Sequence, residues 1–210
     1  MIRRRDFITL LGGAAAWPLA AHAQQGNRVR RIGVLLGGDE NDPATKTFVS
    51  AFTKALADLG WTDGRNVRMD LRWHGDDNNR ARALAQELVG LQPEIIVTYG
   101  TPATVAVQRE TRTIPIVFAT VLDPVATGLV ALLDRPSGNV TGLSSWETDQ
   151  VDIFRRAASY VDRILRGEKP GDLPVQFPTK FEMVVDGKTA KALGLAIPPS
   201  IRLRADEVID

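Results

Sequence analysis

The chain has 210 residues, with 26 Lys+Arg against 25 Asp+Glu, two His and no Cys. The length allows one or two domains with a real core, and the lack of Cys excludes disulfides, thiolate nucleophiles, Cys-ligated zinc, iron–sulfur clusters and a lipid anchor on Cys. A net charge of +1 and an aromatic content of 6% give neither the charge footprint nor the stacking platform of a nucleic-acid binder.

Residues 1–23 read as an export signal. Arg3, Arg4 and Arg5 precede an apolar run from Phe7 to Ala21, and Ala21-His22-Ala23 is a small-x-small cleavage pattern that puts the cut before Gln24. Arg4-Arg5-Asp6-Phe7-Ile8 is twin-arginine-like. The run is shorter than the roughly 20 residues a membrane span needs, so after cleavage the protein does not span a membrane. Cleavage removes Arg3, Arg4, Arg5 and Asp6, turning a net charge of +1 into −1, and leaves His74 as the one mature His.

Strands and helices then alternate. Arg31–Gly37 is a short apolar run closed by glycines, the pattern of a buried parallel strand. Asp42-Pro43 supplies an N-cap and a first-turn proline. Phe48, Phe52, Ala55, Leu56 and Leu59 follow at helical spacing, and Gly60 stops the helix. Val67, Met69, Leu71 and Trp73 alternate as a second strand, and Ala81, Leu84, Ala85, Leu88 and Leu91 mark a second helix. Residues 94–99 form a third strand, 102–111 a third helix and 115–121 a fourth strand. This order predicts an α/β fold with a doubly wound parallel sheet.

In such sheets ligands sit beyond the carboxyl ends of the strands. Three loops qualify: Gly37 to Asp42, Gly100 to Thr104, and Thr120 to Pro124. In the second, Thr101 caps a helix whose backbone N–H groups face a carboxylate or phosphate, or else it is a plain Thr-Pro helix start. Asp123-Pro124 either enters the cleft or forms a turn. His74 reads as a solvated loop residue. Asp39, Glu40 and Asp42 read as capping and solubilising groups rather than cation ligands, and Trp73 and Tyr99 as packing residues able to stack on an aromatic ligand. No dinucleotide glycine fingerprint, phosphate-binding P-loop or nucleophile elbow is present. No enzyme chemistry, metal or cofactor is implied.

Several stretches in chain order resemble the substrate-binding proteins of a bacterial ABC transporter family that includes tryptophan- and tyrosine-binding members. They are Arg31-Ile32-Gly33-Val34-Leu35, the run Phe52 to Trp61, Tyr99-Gly100-Thr101-Pro102-Ala103, Pro115-Ile116-Val117-Phe118, Asp123-Pro124-Val125 with Gly128-Leu129-Val130, and Gly138-Asn139-Val140-Thr141-Gly142. The tail adds Pro178-Thr179-Lys180-Phe181-Glu182 and Lys188 to Leu195. The resemblance implies a periplasmic-binding-protein-like fold of two α/β lobes closing on a small solute. It implies a periplasmic solute-binding role in an ABC importer for an amino acid or other small carboxylate, with a permease and its ATPase as partners. It sets Gly100-Thr101 facing the solute's carboxylate and places Asp123 and the first-strand loop, with Gly38 and Asp39, along the cleft; Thr104, at the end of the second loop, completes the candidate ligand-binding set.

One departure from the family is large. The first lobe fills residues 29–142. At a junction over 143–150, where a second lobe of domain size should begin, the chain passes to Val151–Ala158, which resembles the family's late helix. Residues 151–210 then read as that helix, a strand near Phe181–Val185 and a short helix near Thr189–Leu193. Most of the second lobe is therefore expected to be deleted and binding impaired. The late helix is expected to pack on the first lobe. The tail strand is expected to have lost its partners, exposing an edge that invites self-association. The alternatives are a non-functional truncated product, an exported α/β enzyme, and a one-lobed sensor or scaffold that dimerises.

Overall fold

The computed structural model describes residues 28–75, 77–136, 138–144, 150–177 and 183–209. The expected export signal, Asp76, residues 145–149 of the expected junction and the Pro178–Glu182 motif lie outside them.

Five strands form one parallel sheet: β1 (Arg30–Leu36), β2 (Val67–Trp73), β3 (Ile95–Tyr99), β4 (Ile116–Val121) and β5 (Val140–Ser144), in the order β2-β1-β3-β4-β5. The α/β parallel architecture is as expected. The fifth strand is additional, because its sequence Val-Thr-Gly-Leu-Ser is too short and mixed for a periodic signal. Gly142 in β5 is required by packing: a Cβ there would lie 2.1 Å from the Phe118 carbonyl oxygen.

Helices cover both faces. On one lie α1 (Pro43–Asp58) and α4 (Gln150–Leu165); on the other lie α2 (Asn78–Gly90) and α3 (Gly100–Glu110). As the sequence predicts, Asp42 caps α1, accepting from the Ala44 and Thr45 amides, and Pro43 opens it. Asp77 caps α2 in the same way. Helix α3 begins two residues earlier than expected. Its N-cap is Tyr99, Thr101 is not the cap, and no side chain caps this helix.

The late helix packs on the first lobe. Ile153, Phe154, Ala157, Tyr160, Val161 and Ile164 of α4 are buried in the core that contains Phe52, Leu56, Val97 and Val117. The Trp61 indole N–H donates to Asp162 at 2.8 Å, and the Tyr160 hydroxyl donates to the Pro174 carbonyl at 2.5 Å. The segment after α4 closes the β5 edge of the sheet. The Ser144 amide donates to the Gln176 carbonyl, and the Gln176 amide to the Gly142 carbonyl. At the other edge, strand β2, the Met69 amide donates to Asp63 and the Leu71 carbonyl accepts from the Arg72 guanidinium.

The tail forms a separate small unit. Strand β6 (Val184–Asp186) lies parallel to β7 (Glu207–Ile209), joined through α5 (Gly187–Ala192) and α6 (Pro199–Arg202). The expected tail strand thus starts later than Phe181 among the described residues, and it is not unpaired. β7, at three residues too short to announce itself in sequence, lies along one side of it.

Candidate functional site

The strand order places the change of direction between β1 and β3, where a crevice opens at the carboxyl ends. Gly37 ends β1 there. A Cβ on Gly37 would lie in ordinary contact distance, 3.6 Å from the His74 ring and 3.8 Å from the Tyr99 ring, which shows how closely the three strand ends converge. His74 is 4% exposed. This corrects its reading as a solvated loop residue: its amide continues the ladder onto the Leu36 carbonyl, which draws the side chain inward.

Around the crevice stands an aromatic cluster that crosses the junction. Phe154 of α4 stacks on Phe48 of α1 with ring centroids 5.6 Å apart and 17° between planes, and meets Tyr99 at 5.6 Å. Phe48 and Tyr99 are 6.1 Å apart. Phe48 and Tyr99 are half-buried, whereas Phe154 is fully enclosed. Burial, followed by the nearby Asp42 charge, pushes the Tyr99 phenol above its ordinary pKa.

Strand β4 ends with Thr120 at φ +61° beside a register shift between Ala119 and Val121. A β-branched residue is strained there, and such strain concentrates at functional sites. The Thr120 hydroxyl donates to Gln150 Oε1 at 2.7 Å, tying this strand end to the start of α4.

The structure does not bring the six expected site residues into one cavity. Gly38 and Asp39 line a pocket of about 650 Å³ with Trp73, Arg72 and Arg80. Asp39 is exposed and accepts the Asn41 amide within its own loop. Thr101 lines a smaller pocket of about 240 Å³ between α2 and α3, with Arg82 and Arg109. Gly100, at φ +81°, makes the turn from β3 into α3. Thr104 is fully buried, which corrects its placement along the cleft: its hydroxyl donates to the Gly100 carbonyl at 2.7 Å and lies 2.8 Å from the Thr98 hydroxyl. It holds the Gly100 turn from beneath. The Asp123 carboxylate turns back to accept the Ala126 amide at 2.8 Å, so the turn reading is the one observed.

Sequence reasoning did not single out Phe48, Thr120, Gln150 or Phe154 for the site. Phe48 and Phe154 carry the same helical period as ordinary core residues, and Thr120 has no signal for a positive φ. Among the described residues no cluster of three or more His, Asp or Glu could hold a metal ion, and no helix is long and apolar enough to cross a membrane.

The start of α3 differs from those of α1 and α2. Helices α1 and α2 close their first turns with Asp side chains, while the first amides of α3 have no side-chain acceptor. Such a terminus attracts an anion.

Residues 40–154 and 145–209 match the sequence profile described as ABC transporter substrate binding protein. A tyrosine-binding protein of Clostridioides difficile is 35% identical over 104 residues. The match takes in 50% of this chain and 30% of that protein, so this chain spans under a third of its curated relative. Among solved structures, a conserved domain protein from Vibrio cholerae aligns over 86% of this chain and 100% of its own, with 20% identity and a TM-score of 0.73. An ABC-domain protein from Streptococcus pneumonia in complex with L-Trp aligns over 86% and 99%, with 18% identity and a TM-score of 0.70. A ligand-free, open substrate binding protein from Clostridium difficile gives the same figures. At these identities the likeness shows the fold.

Proposed function

The chain belongs to the ABC transporter substrate binding protein family, and we propose that it carries one wall of a solute site for an amino acid with an aromatic side chain. The carboxylate meets the uncapped amides of Gly100 and Thr101, and the ring lies against the half-buried faces of Phe48 and Tyr99. The single observation that carries this reading is the bare start of α3 at the crevice, in a body whose α1 and α2 are Asp-capped. The tyrosine and L-Trp in the relatives' descriptions agree with the aromatic wall. In this reading Thr104 positions the turn. Gly38 and Asp39 form the rim, and Asp123 shapes the third loop.

The protein is a binding component rather than an enzyme, exported through the signal in residues 1–23 and delivering solute to a permease driven by a cytoplasmic ATPase. The opposing wall belongs to a second lobe that is deleted between Ser144 and Gln150. The two profile matches support this, since they overlap at residues 145–154, where the junction falls. A lone wall cannot enclose its ligand, and enclosure supplies most of the contact in a solute site. Affinity is therefore reduced to about the millimolar range, roughly −4 kcal/mol.

Thermal shift and calorimetry test this with L-tryptophan, L-tyrosine and tryptamine, which keeps the ring and lacks the carboxylate. At a ligand concentration about ten times Kd, binding to the native state adds about 1.4 kcal/mol, or a rise of roughly 3–6 °C for a chain of this size. The amino acids should produce the rise and tryptamine should not. Equal shifts from all three would remove the carboxylate from the reading.

A further inference from the structure

The tail is the one part of the described chain without a core. None of the described residues from Met183 to Ile209 is buried. Eight of the fourteen large apolar residues exposed among the described residues lie in this stretch, including Val184, Leu193, Leu195, Ile201, Leu203 and Ile209. Its two strands are parallel, an arrangement that elsewhere has both faces covered. The pair β6–β7 forms a sheet of its own with two outer edges.

A unit this small does not hold itself together. Below about 40 residues a fold needs disulfides, a metal or association. The sequence has no Cys, and the described residues hold no metal-binding cluster. We infer that a second copy of this chain covers the tail, forming a two-fold dimer through α5, α6 and the β6–β7 pair.

Two features favour a copy of itself as the occupant. A groove of about 640 Å³ runs between α5 and α6, lined by Ala190, Leu195, Ile197 and Pro199, and Leu203 stands at its rim with 86% exposure. Groove and projecting side chain thus occur on one surface, which a two-fold interface requires. The tail's charges are nearly balanced, Lys188, Lys191, Arg202 and Arg204 against Asp186, Asp206 and Glu207. Lys191 on a helix and Glu207 on a strand give each copy both halves of an ion pair.

Sedimentation equilibrium on the purified full chain tests this, over about 1 to about 100 µM, because dimer stability depends on protomer concentration. The expected mass saturates at twice that of the chain. Leu203→Glu and Leu193→Glu, each separately, should weaken the dimer at least about a hundredfold (roughly 2.7 kcal/mol), while Thr47→Glu on the distant α1 leaves it intact. The body's thermal transition should be unchanged in all three, since neither leucine contributes to its core. Three results would overturn the inference: a monomer throughout the range, assembly that grows past the dimer without saturating, or dimers that persist in both leucine variants. The last would also be the result if the apolar run in residues 7–21 drove association. Loss of solute binding without loss of the dimer would bear on the proposed function alone.

Discussion

Replacing Phe154 with alanine separates a lobe that depends on the late helix from one that merely carries it. The ring is 1% exposed and touches three others: Phe48 in a near-parallel stack, Tyr99 at 5.6 Å, and Phe52 edge-on at 6.4 Å. Truncating a buried Phe costs about 3–5 kcal/mol in lost transfer energy and residual cavity. The upper half of that range fits here, because the aromatic pairs add about 0.5–1.5 kcal/mol each beyond their area. Two backbone elements frame the hole and the sheet forms its floor, so collapse is limited. For a chain of this size the melting temperature should fall by roughly 8–20 °C. Urea unfolding followed by far-ultraviolet circular dichroism gives the free energy directly, with Leu132→Ala as the exposed control. A loss below about 1 kcal/mol would mean that α4 is not docked as described, and the account of the first lobe as a unit completed by the returning chain would fail.

Three other outcomes follow from the same packing. Gly142→Ala should destabilise by at least about 3 kcal/mol, beyond ordinary overpacking, because the new methyl meets the Phe118 backbone at 2.1 Å, which no rotamer change relieves; denaturant unfolding would reveal a tolerated alanine at once. Trp61→Phe should cost about 1–2 kcal/mol, since it removes the 2.8 Å bond to Asp162 that ties the α1–β2 turn to α4. The chain has two tyrosines, and burial raises the pKa of both Tyr99 and Tyr160 above the ordinary value near 10. The stability that accompanies a raised phenol pKa is fully present below the unfolded value and is lost as pH rises through the folded one. Absorbance near 295 nm should therefore show fewer than one phenolate per chain at pH 10 in the native protein and about one in urea; equal curves would contradict the burial of both rings.

The alternation of elements was readable because each carried its own chemistry. Asp42-Pro43 marked the start of α1, Gly60 its end, and the apolar run at Arg31 a strand buried on both faces. The resemblance to a known family carried the expectation of a junction over residues 143–150. What could not be read was set by contacts between distant segments. β5 owes its place to a glycine that fits over Phe118. His74 is buried by the convergence of three strand ends, and Thr120 takes a positive φ at a register shift. The candidate site was legible as a set of loops but not as a set of side chains. Thr104 and Asp123 belong to loops read as ligand-facing, yet Thr104 is buried beneath its turn and both make their hydrogen bonds within the chain, and the aromatic wall is assembled from α1, β3 and α4. The uncapped start of α3 was likewise invisible, because Thr-Pro usually reads as a capped one.

The measurement that bears most directly on the central claim is a nuclear magnetic resonance titration of the ¹⁵N-labelled chain with L-tryptophan. The amides of Gly100, Thr101 and Ala103 should shift together and saturate with one dissociation constant near the millimolar range, with Tyr99 ring signals moving on the same curve. If those amides stay fixed while the protein is folded and the ligand is in excess, or if the shifts fall only on residues around Gly38 and Trp73, then the start of α3 is not where this family member meets its solute.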